Sequence, residues 1–343
     1  MKSASSSLVI LLAAGLFVPA SRPGYAAKPT RATAPKEADT PFMGEYVGSF
    51  TSSSGKRVDA IGKVVAQRRR GKATAYRVTL TALAGGAIQK TVIGKGAKIV
   101  QRADLSGTQE GGGLILKGRD WKGGINGDEV SVTGKAGKFA LARYERKSPT
   151  LLARPPAGAI VLMPYAAGKK TSLAEWVNQK WQALDDGSAL ISGGNNVTKR
   201  KFRRFKLHVE FRIPNDLGSG NSGVYILDRY EIQILNSFGR KPGGGDCAAI
   251  YRTFASPINA CLPAGRWQTY DITFAGPKLE GKEAVKLPVV TVVHNGVTVH
   301  KDVKIPSPTG QAKPRGHAET GPILLQAHGS GTRYRNIWLV ELD

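Results

Sequence analysis

The sequence predicts an all-β protein in two units, a small β barrel or sandwich followed by a larger antiparallel sandwich. Three observations carry this prediction. The chain has 343 residues, more than one core usually organises. It holds 42 Gly and 19 Pro, the punctuation of a turn-rich chain. Its apolar residues fall in short alternating runs with no crossover helices between them, which favours antiparallel sheets packed face to face. With 41% hydrophobic and 22% charged residues, the composition excludes wholesale disorder, a coiled coil and a collagen-like fibre.

From the N-terminus, Lys2 precedes the apolar run Leu8 to Val18, the length of a signal-peptide core and too short for a membrane span. Small residues at Gly24 and Ala26 set the expected cleavage near residue 26, giving a secreted or periplasmic protein with no later span. Residues 27–41, rich in Ala, Pro, Thr and charge, read as a disordered lead-in. Residues 42–147 read as the small accessory β domain. Its expected strands are Tyr46 to Phe50, Thr74 to Leu80, Thr91 to Ile93, Gly113 to Lys117, Glu129 to Thr133 and Phe139 to Tyr144. The Pro pair within residues 148–159 marks a linker.

Residues 160–343 form the expected larger sandwich. A short helix is expected near Ser172 to Gln179. The clearest strand follows, where Phe205, Leu207, Val209, Phe211 and Ile213 alternate with Lys206, His208, Glu210 and Arg212. Further strands are expected over Gly223 to Leu227, Tyr230 to Asn236, Ala249 to Arg252, Trp267 to Phe274, Val289 to His294, Val297 to Lys301, Ile323 to His328 and Tyr334 to Val340. Asn295-Gly296 between two Val-rich runs predicts a tight hairpin, since both central positions of a type I′ turn need positive φ.

Lys and Arg number 50 against 25 acids, a formal charge of +25 that attracts acidic polymers without naming one. The densest basic run is Arg68-Arg69-Arg70-Gly71-Lys72, which reads first as a solvated hairpin tip. No pattern points to specific nucleic-acid recognition. Only Cys247 and Cys261 are present, with 13 residues between them. In an oxidising compartment such a pair makes one disulfide, with two free buried thiols as the competing reading.

Period-two geometry gathers candidate chemistry. His208, Glu210 and Arg212 share one face of their strand, as do Glu231 and Gln233 on theirs, and Gln326 and His328 near the end. If those faces join, two carboxylates, two imidazoles, an Arg and an amide surround one polar ligand. A solvated sheet face explains the same residues less specifically. His208 and Glu210 with His328 are also a weak candidate metal set, which leaves a divalent cation as the one candidate cofactor. His294, His300 and His317 read as turn or surface residues without chemistry.

Seven ordered segments then carry a family resemblance. They are Phe205 to Arg212 (FKLHVEFR), Gly220 to Tyr225 (GNSGVY), Tyr230 to Leu235 (YEIQIL), Asp246 to Tyr251 (DCAAIY), Trp267 to Ile272 (WQTYDI), His294 to Val297 (HNGV), and Leu325 to Gly329 (LQAHG) with Arg335 to Trp338 (RNIW). From about Trp181 onward the chain resembles the 3-keto-disaccharide hydrolase domain family, in its secreted planctomycete-type branch. The resemblance implies a concanavalin-A-like jelly roll whose hollow sheet holds a carbohydrate substrate. It also implies cleavage of glycosides oxidised to a ketone at C3, by C2 deprotonation, elimination and hydration. On this reading Glu231 or His328 is the base, Arg212 or a bound cation stabilises the enolate, and Glu210 is a second carboxylate. Asn221, Tyr225, Gln233, Tyr251 and Gln326 would bind the sugar. Relatives commonly carry Asp where this chain has Asn236 and Ala327, which gives a noncatalytic, lectin-like glycan-binding module as the alternative.

Overall fold

The computed structural model describes residues 36–68, 73–85, 91–94, 96–178, 180–309 and 316–343. The signal segment, residues 27–35 of the lead-in and residues 69–72 of the basic run lie outside them. Every regular element among the described residues is a strand.

Eight strands come first: β1 (Gly44–Ser52), β2 (Arg57–Gln67), β3 (Ala75–Ala84), β4 (Lys98–Glu110), β5 (Gly113–Lys117), β6 (Trp121–Asn126), β7 (Glu129–Gly134) and β8 (Gly137–Tyr144). Each pairs antiparallel with the next, and β1 returns to β8, closing a barrel. Tyr46, Val78, Leu80, Leu116, Val132 and Phe139 fill the lumen, all fully buried. The expected strand at Thr91 to Ile93 is only an isolated bridge in residue 92. Unforeseen β2 has apolar residues on both faces, because its outer face packs against the second unit, where Gly239 approaches Val65.

The second unit contains β9 (Ile160–Met163), β10 (Gln182–Ala183), β11 (Ala189–Leu190), β12 (Asn196–Val197), β13 (Arg204–Arg212), β14 (Ser222–Ile226) and β15 (Tyr230–Ile234). After these come β16 (Trp267–Ala275), β17 (Lys278–Glu280), β18 (Glu283–Lys286), β19 (Val289–His294), β20 (Val297–Lys304), β21 (Leu324–Leu325) and β22 (Arg333–Glu341). The larger sheet runs β10-β11-β22-β13-β16-β19-β20, with β9 on β22, and the smaller runs β12-β21-β14-β15. Phe205, Leu207, Val209 and Phe211 of β13 and Tyr230, Ile232 and Ile234 of β15 enter one shared core, so the two sheets form a sandwich. Asn295 and Gly296 take φ of 51° and 79° in the β19–β20 hairpin, as the turn chemistry requires.

Two expectations fail for local reasons. Residues 172–178 form turns rather than a helix, since the Ser172 hydroxyl accepts the Ala174 N–H and the Val177 N–H pairs with the Val197 carbonyl. Residues 36–41 of the lead-in are held: Glu37 pairs with Arg212 at 2.8 Å and Ala38 bonds both ways with Asn215. Residues 148–159 run from the end of β8 at Tyr144 to β9 at Ile160, and along the way they are docked: Thr150 donates to Asp271 at 2.6 Å and the Ala153 carbonyl accepts from Asn336 at 3.0 Å.

Across the junction between the units, Arg146 donates to Glu45 at 3.1 Å and to the Ala260 carbonyl at 3.1 Å, all buried. Arg77 reaches the Gly239 carbonyl at 3.2 Å. Beside these contacts a cleft of about 350 Å³ is lined by Lys63, Arg102, Arg240, Lys241 and Asn259.

Candidate active site

Strand pleat decides which polar residues meet. The apolar residues of β13 and β15 point into the same core from opposite sheets, so their polar alternates point away from each other. Glu210 and Arg212 therefore lie on the outer face of the larger sheet, and Glu231 and Gln233 on the outer face of the smaller one. The single constellation expected from the sequence is two clusters separated by the sandwich.

On the smaller sheet, the turn at Leu227 to Arg229 sets Tyr225 opposite Glu231 and Gly223 opposite Gln233. The Tyr225 hydroxyl donates to Glu231 Oε2 at 2.7 Å and accepts from Gln326 Nε2 at 3.1 Å. The Glu231 carboxylate lies across Gly223, where a Cβ would stand 2.4 Å from Oε1. Gly223 thus makes room for the acid, rather than for a ligand. Glu231 is 1% exposed, and burial raises its pKa to about 7 despite the lowering influence of Tyr225. Burial, then the neighbouring Glu231, pushes the Tyr225 phenol far up, so it stays a neutral donor.

Other expected binding residues border this cluster. The Tyr251 N–H donates to the Glu231 carbonyl at 3.0 Å, and its half-buried ring lies beside Arg252. Asn221 is half-buried, and its Oδ1 has no hydrogen-bond partner among the described residues; the same holds for Gln326 Oε1. Gln233 is turned to its own strand, accepting the Ile234 N–H at 2.9 Å. His328 is exposed in the loop after β21, two residues beyond Gln326. Asn195, which the sequence reading passed over, steadies that loop by accepting the Ala327 N–H at 2.8 Å. Thr309 was passed over too, and its hydroxyl accepts the Glu231 N–H at 3.1 Å.

Glu210 is a structural hub. Arg335 donates to Oε2 at 2.8 Å, Asn336 to Oε1 at 2.8 Å, and the docked linker adds the Leu152 N–H. Asn336 adopts φ 46° where the β13–β22 register shifts, which aims both it and Arg335 at one carboxylate. Burial favours the neutral acid, but the His208 imidazole 3.5 Å away and the hydrogen bonds from Asn336 and Arg335 outweigh it and hold the pKa below the usual range. Arg335 itself lies over the Trp267 and Tyr165 rings at 4.0 and 4.3 Å. His208 stacks on Trp338 and holds Asp271 at 2.6 Å, and the carboxylates of Asp271 and Glu210 together overcome its burial to raise its pKa. Arg212 is engaged by Glu37 and the Gly265 carbonyl.

The expected metal set is likewise divided, His208 and Glu210 on one sheet and His328 beside the other. Among the described residues no three His, Cys, Asp or Glu side chains converge as a metal site. His294 and His300 are buried rather than superficial. Burial lowers His294 to about 3 as it bonds Gln268, and lowers His300 as it bonds the Ala248 carbonyl. His317 meets the Tyr230 hydroxyl at 2.7 Å. Cys247 and Cys261 are free buried thiols here, not the expected disulfide.

Residues 159–340, which contain both clusters, match a family model described as a 3-keto-alpha-glucoside-1,2-lyase-like domain. A candidate glycosyl hydrolase from Parabacteroides distasonis ATCC 8503 is similar at 31% identity and a TM-score of 0.49, over 55% of this chain and 85% of that one. A second candidate glycosyl hydrolase from the same organism gives 22% identity and 0.39, over 54% and 99%. Among curated proteins, the decarboxylating 6-phosphogluconate dehydrogenase of Staphylococcus aureus strain N315 is 31% identical over 137 residues, 40% of this chain and 26% of that enzyme. The chain thus spans about a quarter of the length of the curated relatives it matches.

Proposed function

This chain belongs to the 3-keto-alpha-glucoside-1,2-lyase-like domain family, and from that premise we propose that it cleaves 3-keto-glycosides with Glu231 as the base. The family membership supports a carbohydrate-active, hydrolase-type function. The observation that carries the finer reading is Glu231 itself, a carboxylate on the family-matched sheet whose pKa of about 7 suits proton abstraction near neutral pH.

A C3 ketone acidifies the C2 hydrogen. The Glu231 carboxylate removes that proton, and the electron pair moves into the enolate. The enolate then collapses to a C1–C2 double bond as the C1 oxygen substituent departs and is protonated. Elimination alone is a lyase reaction; addition of water across the new double bond makes it net hydrolysis. Tyr225 holds Glu231 in place, and exposed His328 supplies the proton to the leaving oxygen; the unpartnered Asn221 Oδ1 and Gln326 Oε1 are themselves buried. Arg212 and Glu210 have no part in this mechanism, being engaged on the other sheet.

The test is release of the aglycone from a 3-keto-glucoside by the purified protein. Glu231→Gln is expected to lower kcat by about 10²–10⁴ with the fold intact. An unchanged rate refutes the assignment. The lectin-like alternative draws on Asn236 and Ala327, and it prevails if no aglycone appears while an unoxidised glycan still binds. The same reading puts the protein in an extracytoplasmic compartment, checked by N-terminal sequencing of the secreted form.

A further inference from the structure

Where the barrel meets the sandwich, two cations share one carboxylate. Arg146 takes both oxygens of Glu45, at 3.1 and 3.3 Å, and Lys63 Nζ stands 3.7 Å from the same group, beyond hydrogen-bond reach. All three side chains are largely out of water, Lys63 keeping 15% exposure and the other two still less. The junction therefore holds one positive charge in excess. Lys63 makes no hydrogen bond to any described residue, so its three N–H donors are unspent. Burial comes first in lowering its pKa, Glu45 opposes that, and Arg146 adds to it. An ammonium so placed is short of an anion.

The space beside it is open. Lys63 lines the cleft of about 350 Å³ between the two units, a volume in the small-molecule range at the kind of inter-domain boundary where ligand pockets concentrate. No Asp or Glu lines that cleft, and neither does Glu231, so the space is separate from the proposed catalytic site. Ile61 of β2 and Thr81 of β3 form the barrel wall, facing Pro242 and Ile258 of the loop that joins β15 to β16. At the mouth Arg102 is spent on Asp104 at 2.8 Å and Arg240 on Asp246 at 3.1 Å. Exposed Lys241 has no ion pair among the described residues. Two uncompensated ammonium groups, one deep and one at the mouth, thus flank apolar walls and a threonine hydroxyl.

A pyranose ring has C–H faces for such walls and hydroxyls for Thr81, and an acidic group on that ring answers Lys63. We propose that the cleft binds an acidic saccharide, seating its carboxylate or sulfate ester on Lys63 and its ring between Ile61 and Ile258. The sugar half of this assignment rests on the carbohydrate-active reading of the sandwich; the anion half rests on the cleft alone.

The probes are D-glucuronate, glucose 6-sulfate, glucose and inorganic sulfate, each titrated against the full chain and followed by ligand-observed NMR. The buffer holds about 0.15 M salt, where attraction between exposed charges is screened beyond about 8 Å. At least one acidic sugar is expected to bind with a Kd of about 1 mM or below, and glucose and inorganic sulfate at least about tenfold more weakly. Tighter binding of glucuronate identifies a uronate ligand; tighter binding of glucose 6-sulfate identifies a sulfated one. Lys63→Met keeps the side chain's length without its charge and should weaken the acidic sugar at least about tenfold. Lys241→Glu, on the exposed surface, should weaken it several-fold, and it decides the matter if circular dichroism shows Lys63→Met unfolded. Lys138→Ala, exposed on β8 and outside the cleft, should change nothing. The proposal is overturned if neither acidic sugar binds, or if glucose or inorganic sulfate binds as tightly. It is equally overturned if the folded cleft variants bind like the native chain, or if Lys138→Ala weakens binding as much as they do. None of these readouts involves turnover, so failure here is told apart from failure of the 3-keto-glycoside assay.

Discussion

At Glu231 the same physics sets rate and stability. With its folded pKa near 7 against 4.5 when solvated, the side chain is protonated in both states at low pH, and it must surrender a proton from a dry site as pH rises. Stability is therefore lost between about pH 4.5 and 7, by about 3 kcal/mol for a shift of this size. Glu231→Gln should match the native Tm at pH 4.5 and exceed it at pH 8, read by calorimetry, although it loses turnover. The native enzyme's kcat/KM should climb through pH 7 and level off above it, since the base works ionised. Gly223→Ala should displace the carboxylate and cut turnover at least tenfold, with a far smaller effect on the affinity for an unreactive sugar. The sequence made Glu231 conspicuous as an acid between Ile232 and Tyr230 in an apolar run. The register with Tyr225 was also latent there, in the three residues of the intervening turn. Its pKa was not, because that depends on how completely neighbouring loops exclude water.

Among the elements, the docked linker and the bulged β22 share one dependence. Both converge on Glu210, so Glu210→Ala should leave Arg335 buried without its anion and destabilise the sandwich by about 3–5 kcal/mol in urea titrations. Glu231-dependent chemistry should persist in whatever fraction stays folded. Strict alternation identified β13, and an Asn-Gly pair identified the β19–β20 hairpin, because in both cases a local period or dihedral decides the structure. β6 escaped notice because Gly123 and Gly124 within it read as a turn. β4 turns small residues such as Ala103 and Gly107 inward, giving alternation little amplitude. Alternation also states which residues share a face but not which sheet a strand joins, and that is why Glu210 and Glu231 could be grouped in sequence yet stand apart in space.

For the molecule as a whole, the two cores meet across a junction whose buried ion pair is Arg146 with Glu45. Arg146→Ala is expected to uncouple them, splitting a single calorimetric transition into two, as Glu45 is left without its partner. The barrel and the neighbouring cleft carry much of the positive charge, with 24 basic against 10 acidic side chains over residues 28–154. Retention on a heparin-like column should accordingly fall away at moderate salt, as screening of exposed charge requires. Composition announced that charge, and the turn frequency announced a β fold; closure of the first eight strands into a ring was settled only by long-range pairing of β1 with β8. That ring has a practical corollary. A sheet joined to itself presents no unsatisfied selvedge on which another chain could crystallise as cross-β fibre, so crowding at high concentration should drive self-association through the sandwich rims and leave the N-terminal module monomeric.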